Sequence, residues 1–364
     1  MTFSREQIER GRSYHRPRYL TELADFALGV GVLALLAFTG VCDAFLPDWS
    51  WWAQAVVCPT IVLGLLTLVR LPISHWRDYV REHRWGLSTQ SLGGWLADVA
   101  KGFAVSALLA TILLSGLVAL ARWTDAWPLV AAPLAAAFVV FFTFVAPVVL
   151  EPIFNKFKSL EDQELAADLR GLSERVGVPV RDVLVADASR RTTKSNAYVS
   201  GFGATRRVVL YDTLLEQMKP AELRAVLAHE LAHRKHGDVA KLSAILVVAA
   251  IGLVVLLWAV LGVEAADPRS IPLAMLVVIL ASPVVFVVLA AIARRAEYRA
   301  DRFALAATRD LGALEAAFTG LVDANVADLD PPRVVYYLKY THPTVPERLD
   351  ALRRTARNEG LEAA

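Results

Sequence analysis

Residues 229–233 read His-Glu-Leu-Ala-His. Histidines four positions apart lie one turn apart on the same helix face, so both imidazoles reach one metal ion. The intervening carboxylate, Glu230, then stands where a general base for water attack is needed. That chemistry is metal-assisted hydrolysis. A hydrolytic site of this kind takes a third protein ligand and leaves a fourth position open. Further along, Glu297-Tyr298-Arg299-Ala300-Asp301 places two carboxylates on one helical face. Glu297 is expected to complete the ligand set with His229 and His233, and Asp301 to accept a hydrogen bond from a ligand imidazole. The ligand types point to one Zn2+ per chain. His236 is expected to be solvated, or to lie behind the ligands beside Asp238.

The elements that must bring 229–233 to 297 are membrane spans. The 364 residues are 56% apolar and only 20% charged, which excludes a small secreted scaffold, a disordered chain and a simple soluble enzyme. Six uncharged runs, 26–42, 49–69, 102–121, 126–150, 242–263 and 270–293, are each close to the length of a transmembrane helix. All but two of the 38 Lys and Arg residues fall on alternate inter-span segments. The positive-inside rule then puts both termini and the long 151–241 segment in the cytoplasm. Spans five and six form a hairpin, so the end of the sixth returns to where the metal-motif helix departs.

The fold class expected is therefore a mainly α polytopic membrane protein with about six transmembrane helices and a cytoplasmic α+β catalytic domain. Residues 1–150 form a four-span region whose basic loop, 70–101, lies at the interface as a helix. Residues 151–241 form the catalytic segment, 242–293 a transmembrane hairpin, and 294–364 a cytoplasmic tail carrying the third ligand. Within 151–241 the spacing predicts a helix over 161–177, short strands at Val183–Val185, Ala197–Val199 and Arg207–Tyr211, and a helix opening at Pro220. Pro283 is expected to kink the sixth span. Cys42 and Cys58 are expected as buried thiols. The first 19 residues are polar and lack a cleavage site after the first apolar run, so that run reads as a retained anchor. Thirty arginines against eight lysines suggest a GC-rich bacterial genome, and so a plasma membrane. With a formal net charge of +2, no nucleic-acid partner is expected. A non-proteolytic scaffold or transporter with a structural zinc is the alternative. An intramembrane-cleaving protease is disfavoured because Arg234, Lys235 and Asp238 crowd the motif.

Several stretches resemble the integral-membrane CAAX prenyl endopeptidases, zinc metalloproteases of the gluzincin kind, and their bacterial relatives. They are 150–157 (Leu-Glu-Pro-Ile-Phe-Asn-Lys-Phe), 160–162, 195–201 (Ser-Asn-Ala-Tyr-Val-Ser-Gly), 207–215, 222–228, His342-Pro343 and Glu347-Arg348. The resemblance runs in order from residue 150 to about 350, while the first four spans are similar only in number and kind. It implies His229, His233 and Glu297 as zinc ligands and Glu230 as base. It implies a substrate-binding strand edge at Asn196, Ala197 and Gly201, His342 as the oxyanion partner and Arg348 supporting that corner on the substrate side. The partners implied are membrane-associated proteins or peptides and the lipid bilayer, with processing of a defined tail and clearance of misfolded membrane proteins both open. Eukaryotic members of the family carry a seventh span, which this chain does not offer.

Overall fold

A computed structural model describes residues 3–361 except 42, 43, 45 and 47. Cys42 and Phe45 lie outside the described residues, and Cys58 is buried. Among the described residues, six helices are long and apolar enough to cross a membrane.

Ser4 opens α1 (Arg5–Phe38) with a reciprocal capping box to Gln7, which satisfies two otherwise orphan backbone donors. Helix α2 (Trp51–Ser74) continues through a π turn over His75–Val80 to Arg84. Residues 70–84 thus prolong the second span; they are not the separate interfacial helix expected there, because no glycine breaks the helix before Gly86, which has φ +67°. Ser91 caps α3 (Leu92–Trp123), and α4 (Trp127–Val145) runs on through a π turn to Phe154. The apolar faces of α1, α2 and α3 meet around Leu33, Cys58 and Val62.

The catalytic segment then builds a four-stranded sheet from β1 (Phe157–Ser159), β2 (Asp182–Ala186), β3 (Ala197–Ser200) and β4 (Arg207–Tyr211), in the order β1-β2-β4-β3. Strands β2 and β4 are parallel, and the two outer strands are antiparallel to their neighbours. Helix α5 (Gln163–Arg175), capped by Asp162, intervenes between β1 and β2. Its Leu169 and Leu172 enter a core shared with Val208 and Leu210 of β4. After α6 (Asp212–Gln217), Pro220 starts α7 (Pro220–Lys235), where its missing N–H costs nothing. Six buried apolar residues of α7, from Leu223 to Leu231, join the same core.

Gly237 ends that helix with φ +67°, the left-handed conformation that glycine adopts freely. The chain turns at once into α8 (Asp238–Leu261), the fifth span. The sixth, α9 (Ile271–Thr308), runs helical through Pro283 and beyond the apolar run to present Glu297 and Asp301 against α7. The tail adds α10 (Leu311–Asn325), α11 (Arg333–Lys339) and α12 (Val345–Glu359). Helices α10 and α12 close the core over Leu314, Phe318, Leu349 and Leu352.

Candidate metal centre

The sequence spacing brings His229 and His233 together on α7, with their Nε2 atoms 3.2 Å apart. Packing of α9 on α7 brings Glu297 to both, its Oε2 3.3 Å from His229 Nε2 and its Oε1 3.3 Å from His233 Nε2. One ligand atom from each of the three lies within 4.8 Å of the others. Two imidazoles and one carboxylate converging in this way could hold a zinc-type ion. A second observation fits that use: Glu297 Oε2 is buried and has no hydrogen-bond partner among the described residues. A native fold leaves few such atoms without a function.

The ring nitrogens that face away are fixed as well. His229 Nδ1 meets Asp301 Oδ1 at 2.9 Å, the contact expected from sequence. His233 Nδ1 meets Asp238 Oδ2 at 3.0 Å. Burial and Arg348 oppose charge on His229, but the nearby Asp301 and Glu297 carboxylates outweigh them and lift the imidazole to about 9. Burial opposes charge on His233 too, and Glu297 reverses it, so this ring is also raised. Burial raises the Glu230 carboxyl above the ordinary range, with both histidines pulling the other way.

Asp238 is the residue that the sequence reading left beside His236. His236 instead turns away, its Nδ1 2.9 Å from the Ala232 carbonyl and its ring against Phe303. The signal was present in Gly237, which breaks the helix and swings the next residue back over His233. Arg299 in turn donates to Asp238.

Arg348, expected on the substrate side, lies behind the cluster. Its Nε and Nη2 donate to the two Asp301 oxygens at 2.9 and 2.6 Å, its Nη1 is 3.3 Å from Glu297, and its guanidinium stacks 4.3 Å from the Phe318 ring centre. The side chain is 10% exposed. The reason is helical register: Arg348 falls on the face of α12 that carries Leu349 and Leu352 into the core. His342 is 60% exposed, with Nε2 3.3 Å from Glu297 Oε1.

Strand β3 forms one edge of the sheet beside α7. The Tyr211 N–H donates to the Asn196 carbonyl, and ladder groups alternate in direction, so the backbone groups of Ala197 and Val199 point to the free side. Arg234, whose position next to the metal motif gives no sign of this contact, donates to the Val199 carbonyl. Asn196 is exposed, and its side-chain oxygen accepts from Ala197 N–H at 2.9 Å. Gly201 closes the strand with φ +79°, where a Cβ would sit 2.3 Å from the Thr205 carbonyl oxygen. Its need for glycine is met by that turn.

A model described as peptidase family M48 matches residues 159–356, more than half of the chain. The chain belongs to peptidase family M48. A second model, described as the CAAX prenyl protease N-terminal region with five membrane helices, matches residues 2–156. In that stretch this M48 peptidase has four candidate spans among the described residues. CAAX prenyl protease 1 of Saccharomyces cerevisiae is 30% identical over 347 residues, covering 85% of this chain and 75% of that one. YhfN of Bacillus subtilis, described as an uncharacterized metalloprotease, is 29% identical over 303 residues, 79% of this chain and 71% of its own. The crystal structure of S. mikatae Ste24p superposes with a TM-score of 0.76 at 26% identity, covering 96% of this chain and 89% of that one. This M48 chain is accordingly a membrane-embedded metallopeptidase, and the scaffold or transporter alternative falls away.

Proposed function

We propose that the protein is a zinc endopeptidase that hydrolyses membrane-associated proteins presented as extended strands, at the cytoplasmic face of a bacterial plasma membrane. The observation that carries this reading is the juxtaposition of the His229, His233 and Glu297 cluster, the Glu230 carboxyl and the edge of β3 that has no neighbouring strand. Bound by those three ligands, zinc would supply a Lewis acid that polarises the scissile carbonyl and makes water acidic near neutral pH.

The protein's own groups do the rest. Glu230 takes the proton of the attacking water and hands it to the leaving amine. Burial raises its carboxyl, which makes the carboxylate a stronger base and suits it to hold that proton between the two transfers. His342, open to the cleft, donates to the carbonyl oxygen as negative charge gathers there. The outward backbone groups at Ala197 and Val199 receive the substrate main chain as an added strand, which takes the place of the Asn196 side chain on Ala197 N–H and of Arg234 on the Val199 carbonyl. Main-chain pairing of this type reads little sequence, so specificity is modest. Arg348 acts from behind, holding Asp301 and Glu297. The charge distribution of the inter-span segments supports the cytoplasmic orientation, and the domain limits at 150, 241 and 293 separate membrane from catalytic segments. Similarity to CAAX prenyl protease 1 leaves tail processing and clearance of membrane proteins as the two substrate settings.

The test pairs metal content with cleavage of an unstructured peptide by the detergent-purified protein and its Glu230→Gln variant. One zinc per chain in both, with turnover lowered by roughly 10²–10⁴ in the variant, is expected for loss of a general base. Wild-type turnover in the variant would remove Glu230 from its role, and a folded protein without zinc would remove the site.

A further inference from the structure

Helix α11 carries an apolar face that is largely uncovered among the described residues, with the Arg294 guanidinium 5.8 Å from the Tyr337 ring centre. Val334, Tyr337 and Leu338, at positions i, i+3 and i+4 of one helix face, are 69%, 59% and 49% exposed. The helix is flanked by Arg333 and Lys339. A short segment of the catalytic side with three large exposed apolar residues on one face is an interaction surface or a liability.

The neighbours of α11 fix its depth. Arg294 is the first charge after the uncharged 270–293 run, so it marks where the sixth span leaves the hydrocarbon. Its Nη1 donates to the Tyr340 carbonyl at 2.5 Å, and its guanidinium lies 5.1 Å from the Tyr336 ring centre. On the other side, Lys339 pairs with Glu22 of α1, and the Tyr19 and Tyr340 hydroxyls meet at 2.5 Å. Leu20 and Leu23, beside those two α1 contacts, are each 65% exposed at the start of the first span. The uncovered face of α11 is therefore at the level of lipid-facing residues of the first span and of the end of the sixth.

We infer that α11 is a membrane-inserted lip, with Val334, Tyr337 and Leu338 seated in the headgroup and upper acyl layer of the bilayer that the protein spans. Arg333 reaches outward to lipid phosphates while its stem lies along the apolar boundary, Lys339 stays paired with Glu22, and Tyr337 takes the interfacial position that tyrosine favours. The occupant is the protein's own membrane because the patch continues its lipid-facing surface. His342 follows Tyr340 by two residues, so the His342 side of the metal cluster is moored to the membrane surface. A substrate leaving the bilayer at this lip has a short path to the metal cluster. This inference stands on the membrane-spanning fold and not on the proposed reaction.

The experiment places a single cysteine at Leu338 or Val334 in a chain with Cys42 and Cys58 replaced by alanine. The cysteine is labelled with an environment-sensitive fluorophore, and the protein is reconstituted into lipid nanodiscs. Leu20→Cys serves as the lipid-facing reference and Glu161→Cys as the exposed reference on the catalytic side. Blue-shifted emission at 338 and 334, quenched by nitroxides on shallow acyl carbons as at 20 and protected from aqueous iodide, is expected. Iodide quenching at both positions equal to that at 161, with no loss of emission to lipid nitroxides, would overturn the lip. That outcome would leave the face for a soluble partner or a second copy. Val334→Cys serves where Leu338→Cys does not fold, and each reads depth without reference to activity.

Discussion

Each histidine of the cluster is held from behind by its own relay. Asp301 fixes His229 and is itself held by Arg348, while Asp238 fixes His233 and is held by Arg299. A carboxylate on Nδ1 selects the tautomer that leaves Nε2 free to ligate, and it raises ligand basicity. Removing either carboxylate should lower metal affinity by about 10–100-fold, read by competition with a chromophoric chelator. The two variants should differ in stability. Asp301→Ala takes both short hydrogen bonds from Arg348, whose side chain is 10% exposed, and leaves it only the 3.3 Å contact with Glu297; breaking a buried pair costs up to about 3–5 kcal/mol. Asp238→Ala leaves Arg299, which is 35% exposed and reaches water. Asp238→Ala is thus the cleaner probe, and unchanged zinc affinity in it would remove Asp238 from the centre.

At the level of elements, β3 owes its free edge to its place last in the sheet and its ending to Gly201. The left-handed φ of +79° and the 2.3 Å approach to Thr205 leave no room for a side chain. Gly201→Ala should therefore cost about 1–3 kcal/mol in strain. It should also displace the end of β3, raising KM for an extended peptide while zinc content stays at one per chain. A variant with wild-type melting temperature and KM would show that the turn tolerates a Cβ. Strands β2, β3 and β4 and helices α5 and α7 were legible from alternation, periodicity and punctuation. Strand β1 was not, because three residues, Phe157–Ser159, are too few to show a period of two. The prolongation of α2 through 70–84 was missed because charges in that stretch read as a loop, whereas charge alone does not end a helix.

Across the whole molecule, a buried ion cluster ties the membrane helices to the catalytic sheet. Glu82 at the end of α2 accepts from Arg18 at 2.6 Å and from Tyr14 of α1, and its other oxygen is 2.7 Å from Lys194 Nζ, two residues before Asn196. Thr192 and Thr193 bond the 86–87 turn as well. Glu82→Gln removes the one anion between two cations in a site where Glu82 is 10% exposed. A loss of about 3 kcal/mol is expected for breaking a buried ion pair, seen as a lower thermal midpoint in detergent. An unchanged midpoint would mean that the membrane and catalytic parts are joined elsewhere.

The local code of the chain determined the metal-motif helix, the six spans and the carboxylates of Glu297 and Asp301, because each is written in spacings shorter than a few turns. Hairpin topology, inferred from span count, was enough to predict that Glu297 meets His229 and His233. Only the packed structure decided which way each helix turns about its axis. That rotation buried Arg348 behind Asp301 where the family resemblance implies the substrate side, and it set Asp238 on His233. The tie between Glu82 and Lys194 and the lipid-level placement of α11 likewise join residues more than a hundred positions apart. Such contacts follow from the summed packing of many side chains, and no local pattern in the sequence encodes them.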